Sequence, residues 1–277
     1  MILSRRNKFF RAGIILSSLF LALSIVGSFV VMPVYPIAVA GATRRVSGLF
    51  QSLISHFIGP AAYASFFSMA CAVIYAFVAS IVIYSSFEQT RCQEILFFGF
   101  FAFSFAFEAC RILPPLSQQY TFPSFYLIVG TRAMLFGRYF GLFSLFASSV
   151  CAAGLEVDKQ RILLSIIILT TLLIVSGIPV DSFSWDSSLC MIHAYSSLFN
   201  MLELCLVSVT MLSFFITAYS RNSIEYVFIG VGSLLVALGR NLLFSSDTWI
   251  TPLPALAALA VGTWFICARL HRMYLWL

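Results

Sequence analysis

Charged residues are scarce in this chain. Aspartate, glutamate, lysine and arginine account for 9% of its 277 residues, whereas they account for about 25% of an ordinary soluble domain. Hydrophobic residues account for 61%. A soluble protein of this length could not cover its surface with so few polar groups, so the composition excludes a soluble domain. We also expect no nucleic acid partner.

Proline is missing from the interiors of the long hydrophobic runs. Because proline removes a helix hydrogen bond, it is tolerated mainly where a helix begins or ends. We therefore expect the membrane helices to be unbroken. The nine prolines, which fall at or beyond the ends of the runs, are Pro33, Pro36, Pro60, Pro114, Pro115, Pro123, Pro179, Pro252 and Pro254.

Sequence signatures of redox, metal and catalytic sites are missing as well. The seven cysteines include no C-x-x-C pair, and Cys190 falls in a predicted outer loop without an obvious partner. The three histidines, His56, His193 and His271, are far apart, and no H-E-x-x-H motif occurs. No nucleophile lies beside a suitable base. We expect no metal and no cofactor, and catalysis is a less favoured function.

The chain does contain long apolar runs of about 20 residues, the length that crosses ~30 Å of hydrocarbon as a helix. The connections between them are too short for a soluble domain. The sequence thus predicts an all-α fold, a polytopic helical transmembrane bundle that forms a single integral membrane domain over residues 1–277. The eight expected spans are Ala12–Met32, Ala61–Phe87, Ile95–Leu113, Phe125–Val150, Ile162–Val180, Ala194–Ser220, Tyr226–Ser245 and Pro254–Leu270.

Basic residues predict the orientation of the bundle. Ten lysines and arginines fall in the tails and connections on the side of the N-terminus, and two, Arg44 and Arg45, fall on the other side. The positive-inside rule then makes both termini cytoplasmic, in the cell or inner membrane. The first 40 residues also resemble a signal peptide ending at Ala38-Val39-Ala40, but their apolar run is longer than a signal's. We favour an uncleaved first span; cleavage would leave seven.

Residues 43–58 differ from the spans. Apolar residues recur there every three or four positions from Val46 to Ile58, and polar residues such as Gln51 and His56 lie off this stripe. We expect an amphipathic helix on the outer membrane interface, or else a connector packed over the mouth of the bundle. In either arrangement the segment could act as a lid.

Six charged residues fall well inside the predicted spans, away from their ends, and four of them are arginines. A charge facing lipid at mid-depth costs about 2.5–3.5 kcal/mol, so these side chains should face one another or a wet cavity. Counting helical rise places most of them in the outer half of the bilayer, with Arg138 deeper. The expected ligand-binding residues are Glu108, Arg111, Arg132, Arg138, Asn200, Glu203, Arg240 and Asn241.

The spacing also predicts how these charges pair. Glu108 and Arg111 are three residues apart and share a helix face, while Arg132 is an alternative partner for Glu108. Glu203 should pair with Arg240 or Arg132. Either the pairs only fix helix packing, or the surplus positive charge faces an outer cavity and binds an anionic or lipid ligand. The phenylalanines around Glu108 should meet lipid and neighbouring helices.

Two weaker patterns concern the arrangement of the helices. Gly130-Thr131 and Gly262-Thr263 each follow a proline at a similar distance, after a span that carries an arginine. They suggest that spans 1–4 and 5–8 form a parallel 4+4 repeat. Gly137 and Gly141 form a G-x-x-x-G spacing that lets another helix approach closely, which predicts that the fourth span lies inside the bundle.

These features favour a binding, sensor-like or accessory module that accepts an anionic or amphipathic ligand. Such a module has no output domain and would need a cytoplasmic or membrane protein partner in addition to the lipid bilayer. A small secondary transporter that uses the same intramembrane charges is the alternative. Transport sites are often built on broken helices, which the proline pattern does not predict. An intramembrane enzyme is the least favoured class.

Overall fold

Eight helical segments, each long and apolar enough to cross a membrane, dominate the described part of the chain. They confirm the all-α transmembrane bundle and place the expected spans to within a few residues. The structure, a computed structural model, describes residues 3–31, 62–88, 90, 92–120, 123–154, 159–180, 186, 188–191, 196–246 and 248–275.

The third membrane segment is built from three consecutive helical pieces, and the other seven are single α-helices. The helices before it are α1 (Leu3–Val31) and α2 (Ala62–Phe87). The third segment consists of α3 (Glu94–Ser104), a 3-10 helix (Phe105–Ile112) and α4 (Leu113–Gln119). The remaining helices are α5 (Ser124–Ala152), α6 (Gln160–Gly177), α7 (Ser196–Ser220), α8 (Glu225–Phe244) and α9 (Pro252–Leu275).

The third segment departs from the expectation of uninterrupted α-helices, because its middle is a 3-10 helix, although the segment stays helical from Glu94 to Ser117. Its eight-residue 3-10 stretch is longer than such helices usually are, and Pro114 and Pro115 occupy the first turn of α4 rather than the end of the span. Proline is tolerated there because the first amide groups of a helix have no intrahelical partner. The apolar segment therefore continues to Ser117, and Glu108 lies nearer its middle than expected.

The third segment and α5 form the centre of the bundle, while α1, α6 and α7 lie at its periphery. In the most apolar stretch of the third segment 78% of residues are buried, against 17–22% in the three peripheral helices. Phe98, Phe101 and Phe105 are fully buried. Of the two surroundings expected for the phenylalanines around Glu108, lipid and neighbouring helices, these three have the second, and they form the core.

Glycines allow the closest helix contacts. A Cβ on Gly137 would lie 2.5 Å from the Phe107 Cβ and 3.0 Å from the Ser104 carbonyl oxygen. This confirms that the G-x-x-x-G spacing lets α5 approach another helix, here the third segment. A Cβ on Gly262 of α9 would lie 2.7 Å from the Gly232 carbonyl oxygen of α8. These positions hold the helices at distances that any side chain would increase.

Polar side chains tie the helices together at the end of the bundle where α1 begins. Arg6 donates to the carbonyl oxygen of Phe87, the last residue of α2, and to those of Glu88 and Thr90 just beyond it. The Tyr274 hydroxyl of α9 donates to Glu94 of α3 at 2.8 Å. The N-terminal end of α1 and the C-terminal end of α9 are therefore fixed to the same end of the bundle.

Several expectations concern residues outside the described ranges. The amphipathic segment 43–58 and the Ala38-Val39-Ala40 site both lie there. The 4+4 repeat stays a prediction. The third segment carries a 3-10 stretch that the seventh, α8, does not.

Candidate functional site

Glu108 is the centre of a buried charge network. The 3-10 stretch carries Glu108 and Arg111 on one side, and their side chains lie 3.6 Å apart. Arg138 of α5 approaches the same carboxylate with two parallel hydrogen bonds, from Nε at 2.7 Å and from Nη2 at 2.9 Å. A bidentate pair of this kind is the strongest form of side-chain ion pair. Glu108 itself is completely buried.

Residues of the loop before α7 contact Arg111. The Ser188 carbonyl oxygen accepts hydrogen bonds from the Arg111 guanidinium, from Nε at 2.9 Å and also from Nη2. Next to it, Leu189 has a positive φ of 61°, which is strained for a side chain of this size, yet it is buried and packs against Ile112. The Cys190 sulfur accepts a hydrogen bond from Arg138 at 3.1 Å. The loop thus supplies acceptors for two arginines.

A second ion pair joins the network from α7 and α8. Arg240 donates to both oxygens of Glu203, at 3.1 and 3.4 Å, and to the backbone carbonyl of Arg138 at 3.0 Å. The ring of Phe244 lies 4.8 Å from the guanidinium carbons of both Arg138 and Arg240. Cation–π contacts of this kind stabilise guanidinium groups away from water. The expected pairing of Glu203 with Arg240 is confirmed.

Among the described residues the network contains three arginines and two glutamates, a formal charge of +1. The expectation that the surplus guanidinium faces an outer cavity is wrong for Arg111, which is fully buried. Its donors are satisfied by the Ser188 carbonyl and by Ser68, whose hydroxyl lies 3.3 Å from Nη1. Buried polar groups require such partners. Backbone and hydroxyl oxygens thus compensate the charge that a ligand was expected to meet.

One of the expected site residues lies apart from the network. Arg132 is exposed on α5 and pairs with no described acidic residue. Arg138, and not Arg132, is the α5 partner of Glu108. The estimate that put Arg138 at a different depth from Glu108 is also wrong. Glu108 is 14 positions along the third segment, counted from Glu94, and Arg138 is 14 positions along α5, counted from Ser124. The two segments begin on opposite sides of the membrane. Their side chains therefore meet near the middle.

A groove between α7 and α8 exposes one end of the network to the lipid side. Its volume is about 690 Å³. The polar end is formed by four of the expected residues, Asn200 and Glu203 of α7 and Arg240 and Asn241 of α8. Glu203 keeps 18% of its side chain accessible, whereas Arg240 keeps 2%. The rest of the groove is largely apolar and is lined by Met201, Leu204, Val207, Met211, Leu212, Phe215, Leu234 and Leu238.

Sequence reasoning missed Ser68, Ser188, Cys190 and Phe244 as members of the network. A serine, a loop carbonyl, a thiol and a phenylalanine carry no charge, so that nothing in a single sequence marks them as partners of arginine. Cys190 forms no disulfide with any described cysteine, and its sulfur accepts a hydrogen bond from Arg138 instead.

A second buried carboxylate, Glu94, lies at the end of the bundle where α1 begins. It accepts hydrogen bonds from Tyr274 at 2.8 Å and from the Cys92 thiol at 3.2 Å. Burial, and after it the Glu94 charge, raises the pKa of the Cys92 thiol well above its usual value. The thiol therefore remains protonated and can donate. These contacts join α3 to α9 and bring no basic side chain to Glu94 among the described residues.

No family model, curated protein or solved structure matches this chain. Within the described ranges, no three histidine, cysteine, aspartate or glutamate side chains come together as metal ligands would. The geometry of the charge network and of the groove is therefore the basis for any inference about function.

Proposed function

We propose that this integral membrane protein is a binding module whose ligand is an amphipathic molecule with an anionic head, seated in the groove between α7 and α8. The observation that carries the proposal is the groove itself. It joins a polar end, which contains a guanidinium, to an apolar trough. Its volume of about 690 Å³ falls in the usual range of small-molecule sites, roughly 300–1,000 Å³.

The surroundings favour a ligand that arrives from the membrane. Ser188 and Leu189 are buried over Arg111, so that the described loop covers this part of the network. The groove, in contrast, is bordered by exposed apolar side chains such as Leu204 and Leu238. Such side chains favour a hydrocarbon tail, while Arg240 and the two asparagines can hold a carboxylate or phosphate head. On this proposal the network transmits occupancy of the groove to a protein partner.

Binding of radiolabelled palmitate to the purified chain in detergent tests the proposal. Removing the cation with Arg240→Gln should weaken binding roughly 10- to 100-fold, as expected for a lost hydrogen bond to a charged group. Glu203→Gln should instead strengthen binding, because Glu203 competes with the ligand head for Arg240. Leu238→Trp should block the trough without changing any charge.

The matched control is Glu225→Gln. Glu225 also lies on α8 and forms a partly exposed ion pair, with Arg269 at 3.1 Å, but it is remote from the groove. Its replacement should leave palmitate binding unchanged. Equal binding by the parent, Arg240→Gln and Leu238→Trp proteins would contradict the proposal.

Transport is a second candidate, and the broken third segment favours it. Discontinuous helices at mid-membrane are typical of transport sites, and the 3-10 stretch carries the buried Glu108. Proton flux into vesicles that contain the purified protein and a trapped pH indicator tests this function. A flux that Glu108→Gln abolishes and Glu225→Gln preserves would support transport, whereas vesicles no leakier than empty ones would exclude proton transport.

A further inference from the structure

A cleft separates two peripheral helices, α1 and α6, at the end of the bundle where both begin. Its mouth has a volume of about 600 Å³ and is lined by Lys8, Gln160 and Arg161 together with apolar side chains. The cleft shares no lining residue with the α7–α8 groove. It has no part in the function proposed above.

The two basic side chains at the mouth have no acidic partner among the described residues. Lys8 and Arg161 are exposed, and neither takes part in the ion pairs of the bundle. Two other cations at this end are engaged: Arg11 lies 3.8 Å from Glu88, and Arg269 pairs with Glu225. The first turn of α6 contains no acidic residue, so that its positive helix end adds to the potential in the mouth.

Below the mouth the cleft continues as an aromatic trough of about 290 Å³. Phe9 and Ala12 line both parts, which makes the two spaces continuous. The floor belongs to the third segment and to α5, and its rings contact one another: Phe100 lies 5.9 Å from Phe140 between ring centroids. The other floor residues are Phe103, Phe107 and Phe136.

We propose that this cleft binds an anionic phospholipid from the leaflet at the N-terminal end of the bundle. Lys8 and Arg161 hold the headgroup phosphate, and an acyl chain lies along the phenylalanine floor between α1 and α6. Cations at headgroup depth above an apolar cleft between helices fit an anionic lipid better than a zwitterionic one. The bound lipid fills the space between two helices that have few buried residues of their own.

Native mass spectrometry of the full chain in a non-ionic detergent tests this site. Phosphatidylglycerol should bind more tightly than phosphatidylcholine of the same acyl chains. The double variant Lys8→Gln/Arg161→Gln should weaken phosphatidylglycerol binding roughly 25-fold, the product of about fivefold for each basic side chain near an anionic headgroup. Its affinity for phosphatidylcholine should not change.

The matched control removes the same charge elsewhere, with Arg132→Gln/Arg272→Gln. Both arginines are exposed, and neither lines the cleft. This variant should bind phosphatidylglycerol like the parent. If the two double variants bind it equally, the proposal is overturned.

Variants that fill the aromatic trough distinguish a lipid ligand from a free phosphate compound. Ala12→Trp keeps both cations but fills the cleft, and should abolish the preference for phosphatidylglycerol; Leu164→Trp serves the same purpose if the first variant does not fold. Soluble glycerol phosphate should not displace the lipid at comparable concentrations. Displacement at such concentrations, or unchanged lipid binding after the trough is filled, would show a site for a soluble phosphate and overturn the proposal.

Discussion

At the scale of single residues, Glu108 is the described charged side chain whose replacement we expect to destabilise the fold most. It is completely buried, and it is the carboxylate that both Arg111 and Arg138 contact. Removing one member of a buried pair leaves its partner charged in a medium of low dielectric constant, which costs far more than the net value of the pair.

We therefore expect Glu108→Gln to lower the free energy of unfolding by about 3–5 kcal/mol. Glu225→Gln breaks a partly exposed pair, with 23% and 28% of the two side chains accessible, and should cost only about 0–1 kcal/mol. Reversible unfolding in mixed detergent micelles measures both. A Glu108 variant as stable as the Glu225 variant would show that the network does not stabilise the fold.

At the scale of helices, the contact between α5 and the third segment positions the network. Gly137 immediately precedes Arg138, and its Cα lies against Phe107 and Ser104 without room for a side chain. A wider separation here would move the Arg138 guanidinium away from Glu108. Packing of small residues and ion pairing are therefore coupled at this crossing.

Gly137→Ala should accordingly destabilise the bundle by about 1–3 kcal/mol, the usual cost of overpacking. Gly177→Ala is the matched control, because an added Cβ there meets nothing within 4 Å. Unfolding in mixed micelles again gives the comparison. Equal stabilities of the two alanine variants would contradict the close contact.

The helices themselves could be predicted from the sequence, because hydrocarbon thickness sets a length that apolar runs reveal directly. The 3-10 stretch could not, since an apolar run does not distinguish i→i+3 from i→i+4 hydrogen bonding. The end of the third span differs for another reason: Pro114 and Pro115 predict a stop there, but they occupy the first turn of α4, and the depth of Glu108 relative to Arg138 changes with it. The Glu203–Arg240 pair could be anticipated from charge, whereas the Ser188 carbonyl and the Phe244 ring are tertiary contacts without a sequence signal.

At the scale of the whole molecule, the charge bias of the connections predicts a cytoplasmic N-terminus and C-terminus. An even number of spans requires the two ends to share a side, and the contacts of Arg6 and Tyr274 are made at one end of the bundle. A reporter fused after residue 277 should be active in the cytoplasm. A reporter that is active on the opposite side would reverse the orientation and move the proposed lipid site to the other leaflet.

The charge network also makes the energy of the protein sensitive to the membrane potential. Its formal charge of +1 lies where much of a transmembrane voltage drops, and moving one charge through the whole field changes the free energy by about 2.3 kcal/mol per 100 mV. Moving the whole network, with its formal charge of +1, across a tenth of the field would change it by about a tenth of that amount. Any rearrangement that carries the network along the membrane normal is consequently biased by the membrane potential of the cell.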